Sequence, residues 1–329
     1  MIKKIVGVLT SAVLIASLVG CGASGVSETK VEEKQYQIGI TQIVEHPALD
    51  ASKDGFIDAL ASKGYEAGGK VVYDEQNAQG DMGTNQLIAS NFVNDKKDMI
   101  FAISTPSAQA AYNATKDTPI MITAVTDAVE AKLVESNEKS NTNVAGTSDM
   151  SPVDVQLDLA MKMLPEAKTV GVLYNTSEVN STIQVEILKE EAAKVGLEVV
   201  EKGVTATTEI PDGINSIIAD VDFLYVPTDN LMVASLPILV DVANKNKVAV
   251  IGAEDNSLEK GYLLTAGVDY YNLGYQTGLM AAEVLEGKEV SEMGVDTLKE
   301  TKIVINQNVA DQLGVTIPED IAAKAEILK

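Results

Sequence analysis

The sequence of 329 residues contains no arginine and no tryptophan, and it has only one cysteine and one histidine. The single cysteine excludes a disulfide framework within the chain and a thiolate metal site. The single histidine, His46, excludes a histidine cluster around a metal, and any Ser-His-Asp arrangement would depend on this residue alone. Because arginine is absent, no guanidinium can hold a ligand carboxylate, so hydroxyls and backbone amides must do so if an amino acid binds.

Positive charge is also scarce, since 25 lysines stand against 48 aspartates and glutamates and leave a net charge of −23. A chain this acidic is repelled by phosphate backbones and by anionic lipid. Neither nucleic acid nor a charged membrane surface is therefore an expected partner. We expect a monomer that uses no cofactor and no metal.

The first residues have the order of an export signal. Lys3 and Lys4 precede an apolar run over 5–19, and Gly20 and Cys21 follow it. The run is shorter than the roughly 20 apolar residues that cross a bilayer, and the order is typical of a signal peptide. Residues 18–21, Leu-Val-Gly-Cys, resemble the bacterial lipobox. We predict a signal peptide over 1–20, lipidation of Cys21, a flexible linker over 21–35, and a membrane anchor made by lipid alone on the extracytoplasmic face.

After the linker, short apolar runs rich in β-branched residues alternate with segments of helical period, which predicts parallel sheets covered by helices. The predicted strands are 36–43, 71–74, 99–104, 120–125, 169–174, 198–204, 222–226, 248–251, 263–267 and 302–305. The predicted helices include 48–63, 84–93, 107–116, 151–164, 182–195, 234–246 and 272–286. Two such series in a body of about 295 residues predict two domains that divide near Ser148.

Polar residues follow the ends of these predicted strands. They occupy 42–47, 105–107, 126–127, 175–181, 228–230, 254–255 and 269–271. Ligands of open α/β sheets bind outside the carboxyl ends of the strands, so two facing lobes place these loops in one cleft. Hydroxyls and amides beside helix N-termini suit a carboxylate, and an aspartate accepts from an ammonium group. The pattern therefore favours a small zwitterion.

Other interpretations of these residues stay open at this point. Thr, Ser, Asp and Asn at strand-to-helix turns are also ordinary helix caps. His46, before Pro47, is either a structural residue or a ligand contact. Glu254 and Asp255 could form an acid and base pair, and an enzyme function would rest on them alone.

Several segments closely resemble the tryptophan/tyrosine-type substrate-binding lipoproteins of ABC importers. They are IGITQIVEHPALD at 38–50, QNAQGD at 76–81, AVTD at 124–127, YVPTDN at 225–230 and GVDYY at 267–271. The resemblance extends in register over nearly all of 36–318. It implies the type I periplasmic-binding-protein fold, an α/β fold of two Rossmann-like lobes with parallel sheets, joined by a three-crossover hinge around a ligand cleft. The lobes would comprise 36–148 plus 267–296, and 149–266 plus 297–329.

The same resemblance implies a solute receptor without catalysis. It would bind a small amino acid, with an aromatic one (tyrosine, tryptophan or phenylalanine) expected, close by a hinge motion, and deliver it to the transmembrane subunits of an ABC permease. His46 and Pro47 would form one wall of the site. The other ligand-binding residues expected within the matching motifs are Gln42, Thr105, Ser107, Thr126, Asp127, Asn175, Ser181, Asp229, Asn230, Asp255 and Asp269.

Four alternatives to this function remain. Regulators of the LacI type share the fold but need a DNA-binding headpiece, whereas here a signal peptide and a spacer are predicted before the body, and the net charge is unsuited to DNA. A surface sensor or adhesin of the same fold could coexist with transport, and a divergent member could bind another small solute. An enzyme is the least supported alternative.

Overall fold

The computed structural model describes residues 34–254, 258–298 and 301–329. The predicted signal peptide, Cys21 and most of the predicted linker lie outside the described residues, and so does Asp255. Residues Lys34–Lys329 pack as one unit. Within the described part of the chain, no helix combines the length and the apolar composition that a bilayer span requires.

The first lobe is built on a six-stranded sheet in which all neighbouring strands are parallel. Its strands are β1 (Tyr36–Gln42), β2 (Val71–Asn77), β3 (Met99–Ile103), β4 (Ile120–Val125), β5 (Val144–Ser148) and β11 (Val295–Thr297). They follow the order β11-β5-β4-β3-β1-β2. The helices of this lobe are α1 (Pro47–Ser62), α2 (Met82–Asn94), α3 (Thr105–Ala114) and α9 (Tyr270–Leu285).

The second lobe is built on a seven-stranded sheet. Its strands are β6 (Thr169–Asn175), β7 (Glu198–Val204), β8 (Phe223–Val226), β9 (Ala249–Gly252), β10 (Leu264–Gly267), β12 (Lys302–Asn306) and β13 (Glu326–Leu328). They follow the order β13-β12-β10-β9-β8-β6-β7, and only the β10–β12 pair is antiparallel among the described strands. The helices are α4 (Val153–Met163), α5 (Val179–Lys194), α6 (Ile210–Ile217), α7 (Asn230–Ala234), α8 (Leu236–Asn246), α10 (Gln307–Leu313) and α11 (Glu319–Ala322).

The chain passes between the two sheets three times. It leaves the first sheet after β5, returns after β10 to form α9 and β11, and leaves again for β12. Two mainly parallel sheets with this connectivity match the α/β architecture predicted from the alternation. The predicted lobe boundaries near 148, 266 and 296 fall close to these passages and stay predictions.

The structure differs from the sequence-based elements where polar or small residues form strands. β5, with the sequence VAGTS, is fully buried but lacks the apolar run that would predict a strand, and β11 has only three residues, two of them exposed. The predicted helix 234–246 begins earlier and is interrupted at Ser235, because Pro237 fits only the first turn of a new helix.

Helices α1 and α9 pack against each other through glycine. A Cβ on Gly274 would lie 1.8 Å from the carbonyl oxygen of Ser52, and one on Gly55 would lie 2.1 Å from that of Tyr271. Ser52 Oγ also donates to the carbonyl oxygen of Tyr270 at 3.0 Å. This contact fixes the start of α1, where the chain reaches the cleft, against the start of α9, where it returns from the second lobe.

Candidate functional site

The carboxyl ends of the two sheets face each other, and side chains from both lobes meet there. Thr126, which follows β4, and Thr228, which follows β8, place their hydroxyl oxygens 3.0 Å apart. Thr126 Oγ1 also donates to Asp149 Oδ1 at 3.2 Å, at the first passage between the lobes. Tyr270, at the second passage, donates to the other oxygen of Asp149 at 2.6 Å. The cleft is thus bridged by hydroxyls beside the connecting segments.

His46 contributes a neutral ring to this interface. It is the N-cap of α1, it is buried, and Pro47 opens the helix. Burial lowers the pKa of His46 to about 4, and a hydrogen bond with the Asn230 side chain of the second lobe opposes that shift. The imidazole is therefore uncharged near neutral pH. It therefore brings no positive charge to the cleft, and its place in a wall of the ligand site stays a prediction.

The first lobe offers an uncapped helix N-terminus to the cleft. Thr105 and Ser107 lie in the first turn of α3, and both are buried. Ser104 precedes them with φ of 87° and ψ of 155°, and no side chain caps the helix. The first backbone N–H groups of a helix have no partner within it, and the helix dipole favours an anion at that end. This turn can therefore bind a carboxylate without arginine.

The second lobe opposes this turn with a buried carboxylate surrounded by amides. Glu178, the N-cap of α5, accepts from Asn175 Nδ2 at 2.9 Å, from Asn180 Nδ2 at 3.1 Å, from the side chain of Asn230 and from Asn230 N at 3.3 Å. All four residues are buried. We call these residues (Asn175, Glu178, Asn180 and Asn230) the Glu178 cluster.

Asp229 lies next to this cluster but is occupied by the backbone. Its Oδ1 accepts from Met232 N at 2.9 Å and caps α7, and its Oδ2 accepts from Asn175 N at 2.6 Å. Burial and the charge of Glu178 raise the pKa of Asp229 to about 7, while these amides and the Ser181 hydroxyl lower it. Asp229 therefore fixes the loop that carries Asn175.

Three buried acidic residues of this region have no ion-pair partner among the described residues. No lysine in the described part of the chain forms an ion pair with Asp149, Glu178 or Asp229. Burial raises the pKa of Asp149, although Tyr270 and Thr126 donate to it. Buried charges are normally paired, so a cationic ligand group would be favoured here.

A cavity of about 250 Å³ opens between the lobes at the Glu178 cluster. The first lobe contributes apolar side chains and backbone to its wall, and the second lobe contributes most of its polar groups. The residues that line it are Ile43, Val44, Gln79, Gly80, Met82, Asn175, Glu178, Thr205, Ala206, Thr207, Asn230, Leu231 and Ala234.

The structure brings most of the predicted site residues to the cleft but gives some of them other contacts. Gln42 Nε2 donates to Val44 O at 2.8 Å and to Asp50 Oδ1 at 2.9 Å, which holds the loop after β1. Asp127 Oδ1 accepts from two backbone amides of its own turn. Asp269 caps α9 through Asn272 N at 2.9 Å and lies in a separate crevice beside Lys302. Ser181 is buried beside Asp229. The ligand roles of all these residues stay predictions.

Four buried polar residues of the site were not among those predicted: Asp149, Glu178, Asn180 and Gln184. Asn180 and Gln184 are one helical turn apart, so their spacing places them on one face of α5. That spacing could have identified them. Nothing in the sequence distinguishes Glu178 from an ordinary exposed glutamate at the start of a helix.

A family model described as ABC transporter substrate binding protein matches residues 37–329. The chain belongs to this family. A curated relative in Clostridioides difficile (strain R20291), the "Tyrosine-binding protein", is 52% identical over 318 residues, which are 94% of this chain and 92% of the relative. The predicted resemblance to substrate-binding proteins of ABC importers is thereby confirmed.

Two solved structures of similar proteins differ in how well they match this substrate-binding protein. An ABC domain in complex with L-Trp from Streptococcus pneumonia is 35% identical, covers 90% of this chain and 100% of its own, and has a TM-score of 0.87. The ligand-free, open structure of a substrate binding protein with adhesive properties from Clostridium difficile is 53% identical, covers 89% and 99%, and has a TM-score of 0.68. These matches confirm the two-lobed α/β fold, and they indicate that the lobes are arranged as in the L-Trp complex.

Proposed function

We propose that this protein binds the zwitterion of an aromatic amino acid between its lobes and delivers it to the transmembrane subunits of an ABC permease. The observation that carries the proposal is a pair of complementary polar features at the carboxyl ends of the two sheets, one from each lobe. The uncapped N-terminus of α3 lies on one side, with the hydroxyls of Thr105 and Ser107. The buried Glu178 cluster lies on the other, without a lysine partner for Glu178 among the described residues.

Each wall suits one end of an amino acid. The first-turn amides of α3 and the Thr105 hydroxyl would donate to a carboxylate, in place of the arginine that the chain lacks, while the Ser107 hydroxyl donates to Asn85 Oδ1 at 3.4 Å. The acidic wall accepts from an ammonium group, and its charge compensates that of the ligand. A neutral sugar would use the same donors but would leave Glu178 uncompensated. The amino acid therefore fits the site better than a neutral solute.

An aromatic side chain is favoured by the relatives and by the cavity. One relative is called a tyrosine-binding protein, and another was solved with L-Trp. The cavity is lined by Ile43, Val44, Met82 and Leu231, whose apolar surfaces suit a ring. The polar Thr205 and Thr207 also line it and could meet a ring hydroxyl or indole N–H. Tyrosine, tryptophan and phenylalanine are the three candidates.

Hinge closure is the proposed mechanism. The better match in TM-score to the L-Trp complex than to the open, ligand-free relative supports two lobe arrangements in this family. A ligand that contacts both walls binds only when they approach each other, so it shifts the equilibrium toward the form that a permease would receive. We assign binding and delivery to the protein, without a catalytic step.

The lipid anchor belongs to the same proposal. Cys21, after cleavage of residues 1–20, would carry the acyl chains, and residues 21–35 would separate the body from the membrane. Mass spectrometry of the protein from bacterial membranes should give the mass of a diacylglyceryl modification on a peptide that begins at Cys21. A soluble, unmodified protein that begins at Met1 would refute the anchor.

A thermal-shift screen of the twenty amino acids tests the ligand assignment. At a concentration of about 100 times Kd, a ligand stabilises the native protein by about 2.7 kcal/mol, which raises Tm by roughly 5 to 10 °C. We expect this with at least one of tyrosine, tryptophan and phenylalanine. Mass spectrometry of a ligand that copurifies, recovered intact, provides a second measurement. A screen in which only non-aromatic solutes stabilise the protein would overturn the aromatic assignment.

Adhesion is a second candidate function, and one observation favours it. The Clostridium difficile relative that is 53% identical is described as a substrate binding protein with adhesive properties. Binding of the purified protein to epithelial cells, compared with an unrelated acidic lipoprotein, would test this role. Equal binding of the two proteins would exclude it.

A further inference from the structure

The start of α5 holds unpaired polar atoms that the proposed function has not yet used. Asn180 is 2% exposed, and its Nδ2 donates to Glu178 Oε2 at 3.1 Å and to Thr228 O at 2.8 Å. Its Oδ1 is buried and has no hydrogen-bond partner in the described part of the chain. A buried acceptor without a donor costs free energy, so such an atom indicates a group that binds there.

This free acceptor lies beside the carboxylate. Oδ1 and Nδ2 of Asn180 belong to one planar amide, and Nδ2 is bonded to Glu178. Only the NH₂ group of Asn180, which bonds to Glu178, therefore separates the Asn180 oxygen from the Glu178 carboxylate. Glu178 lines the cavity, and Asn180, which bonds to Glu178, lies behind the lining residues, so a negative charge and a neutral oxygen acceptor are close together at the edge of the cavity.

The chemistry of these acceptors specifies the ligand group. A carboxylate or a phosphate is repelled by Glu178, and a hydroxyl supplies only one donor and no charge. A primary ammonium supplies three N–H donors and the missing countercharge. Gln184 cannot replace Asn180, because the atom it leaves unpaired is the donor Nε2.

Asp229 is less suited to this role than the sequence suggested. Both of its oxygens accept backbone N–H groups, from Met232 and from Asn175. It is a fixed part of the loop on which the Glu178 cluster is built. Its removal would release the Asn175 and Met232 amides that hold the loop, whereas three of the four N–H groups bonded to Glu178 belong to asparagine side chains, which can turn when a ligand binds.

We propose that Glu178 and Asn180 form the subsite that binds the ligand's α-ammonium group, and that Asp229 only positions this subsite. The inference rests on the proposed function as an amino acid receptor. It makes the preference for amino acids over their deaminated analogues a property of two residues at the start of α5, the N-cap Glu178 and Asn180. It predicts that binding energy from the ring and the carboxylate is independent of those residues.

The test compares three amino acids with analogues that lack only the amino group. The pairs are L-tyrosine with 3-(4-hydroxyphenyl)propionate, L-tryptophan with indole-3-propionate, and L-phenylalanine with 3-phenylpropionate. Calorimetry of the full mature protein gives the ratio of the two affinities within each pair. Glu178→Gln and Asn180→Leu remove the two acceptors, Asp229→Asn alters the positioning residue, and Glu190→Gln removes an exposed charge from the same helix as the control.

For the amino acid that binds, we expect the wild type and the control to prefer it over its analogue by at least about tenfold, as for a charge-assisted hydrogen bond. Glu178→Gln and Asn180→Leu should weaken the amino acid by a similar factor and leave the analogue unchanged. Asp229→Asn should weaken both ligands equally. Circular dichroism checks that each variant is folded. If Glu178→Gln fails to fold, Glu178→Asp replaces it; this variant keeps the charge on a shorter side chain and should reduce the preference without abolishing it.

The outcomes separate the two proposals. If the wild type binds an amino acid but both α5 variants weaken the amino acid and its analogue equally, the ammonium subsite is wrong and the receptor function stands. If Asp229→Asn alone abolishes the preference, Asp229 and not Glu178 is the acceptor. If the wild type binds none of the amino acids, the proposed function and the subsite both fail.

Discussion

The glycine contact between α1 and α9 makes Gly274→Ala a strong test of how tightly the first lobe is packed. The added methyl carbon would lie 1.8 Å from the carbonyl oxygen of Ser52. The two helices would have to separate by roughly 1.5 Å to restore an ordinary contact distance. The obstructing atom belongs to the backbone, so no side-chain rotation can relieve the contact.

The expected cost follows from two opposing effects. Overpacking a close contact costs about 1 to 3 kcal/mol, and more where backbone must move. Replacing glycine by alanine inside a helix recovers about 1 kcal/mol of helix propensity. Because the obstruction here is backbone at 1.8 Å, we expect a net loss of about 2 kcal/mol, or a Tm lower by roughly 4 to 8 °C.

Differential scanning calorimetry of Gly274→Ala measures this loss, and Gly83→Ala is the matched control. Gly83 lies in the exposed first turn of α2, where an added Cβ meets only the side-chain oxygen of Asp81 at 3.3 Å. That control should keep or slightly raise Tm. A Gly274→Ala protein with the Tm of the wild type would show that α1 moves away at no cost, and the argument for a rigid α1/α9 contact would be wrong.

Three further predictions follow from the site. Thr126→Val removes the hydroxyl that hydrogen-bonds Thr228 at 3.0 Å and Asp149 at 3.2 Å. Ligand affinity measured by calorimetry should fall about 5- to 100-fold. An unchanged affinity would show that this hydroxyl bridge does not contribute to the bound state. The pKa of Asp229 is raised from 3.8 to about 7, so between these pH values the ligand-free native protein binds a proton that the unfolded chain does not. The free energy of unfolding should therefore fall as the pH rises through that range. Asp229→Asn should remove this pH dependence of Tm in thermal-shift scans from about pH 4 to 8, and a wild-type Tm that does not fall over that range would contradict the raised pKa. Ser104→Gly relieves a φ of 87° and should raise Tm by about 2 to 4 °C in a thermal-shift assay, whereas a lower Tm would mean that the serine's own contacts outweigh its strain.

The fold was predictable because its signal is long-range and repeated. Alternating apolar runs and helical segments identified most strands of both sheets, and the motifs identified the family. The elements that were missed have weak local signals. β5 is buried between β4 and β11, yet its residues VAGTS would suit a turn equally well. Its strand conformation is imposed by neighbours that are distant in sequence, which no local pattern records.

The site was predictable at the level of loops and less so at the level of atoms. Asn175 and Asn230 line the cavity because they follow β6 and β8, and strand ends are visible in the sequence. Whether an aspartate at such a position faces a ligand or caps a helix depends on where the nearest free N–H groups point. Asp229 and Asp269 both accept from their own helices. Glu178 was missed because its burial results from the approach of the other residues of the cluster, which is a property of the folded chain.

The position of β1 has a mechanical consequence. The described chain enters the body at Lys34 and runs directly into β1, which lies between β2 and β3 and is parallel to both. Tension from an anchor on the N-terminal side would act along this strand. It would shear the hydrogen bonds on both edges at once, where a peeling load would break them one after another. In a receptor tethered in this way, the pull would act along β1, the direction in which its paired strands resist separation. The cleft, at the opposite end of the strands, would remain free to open.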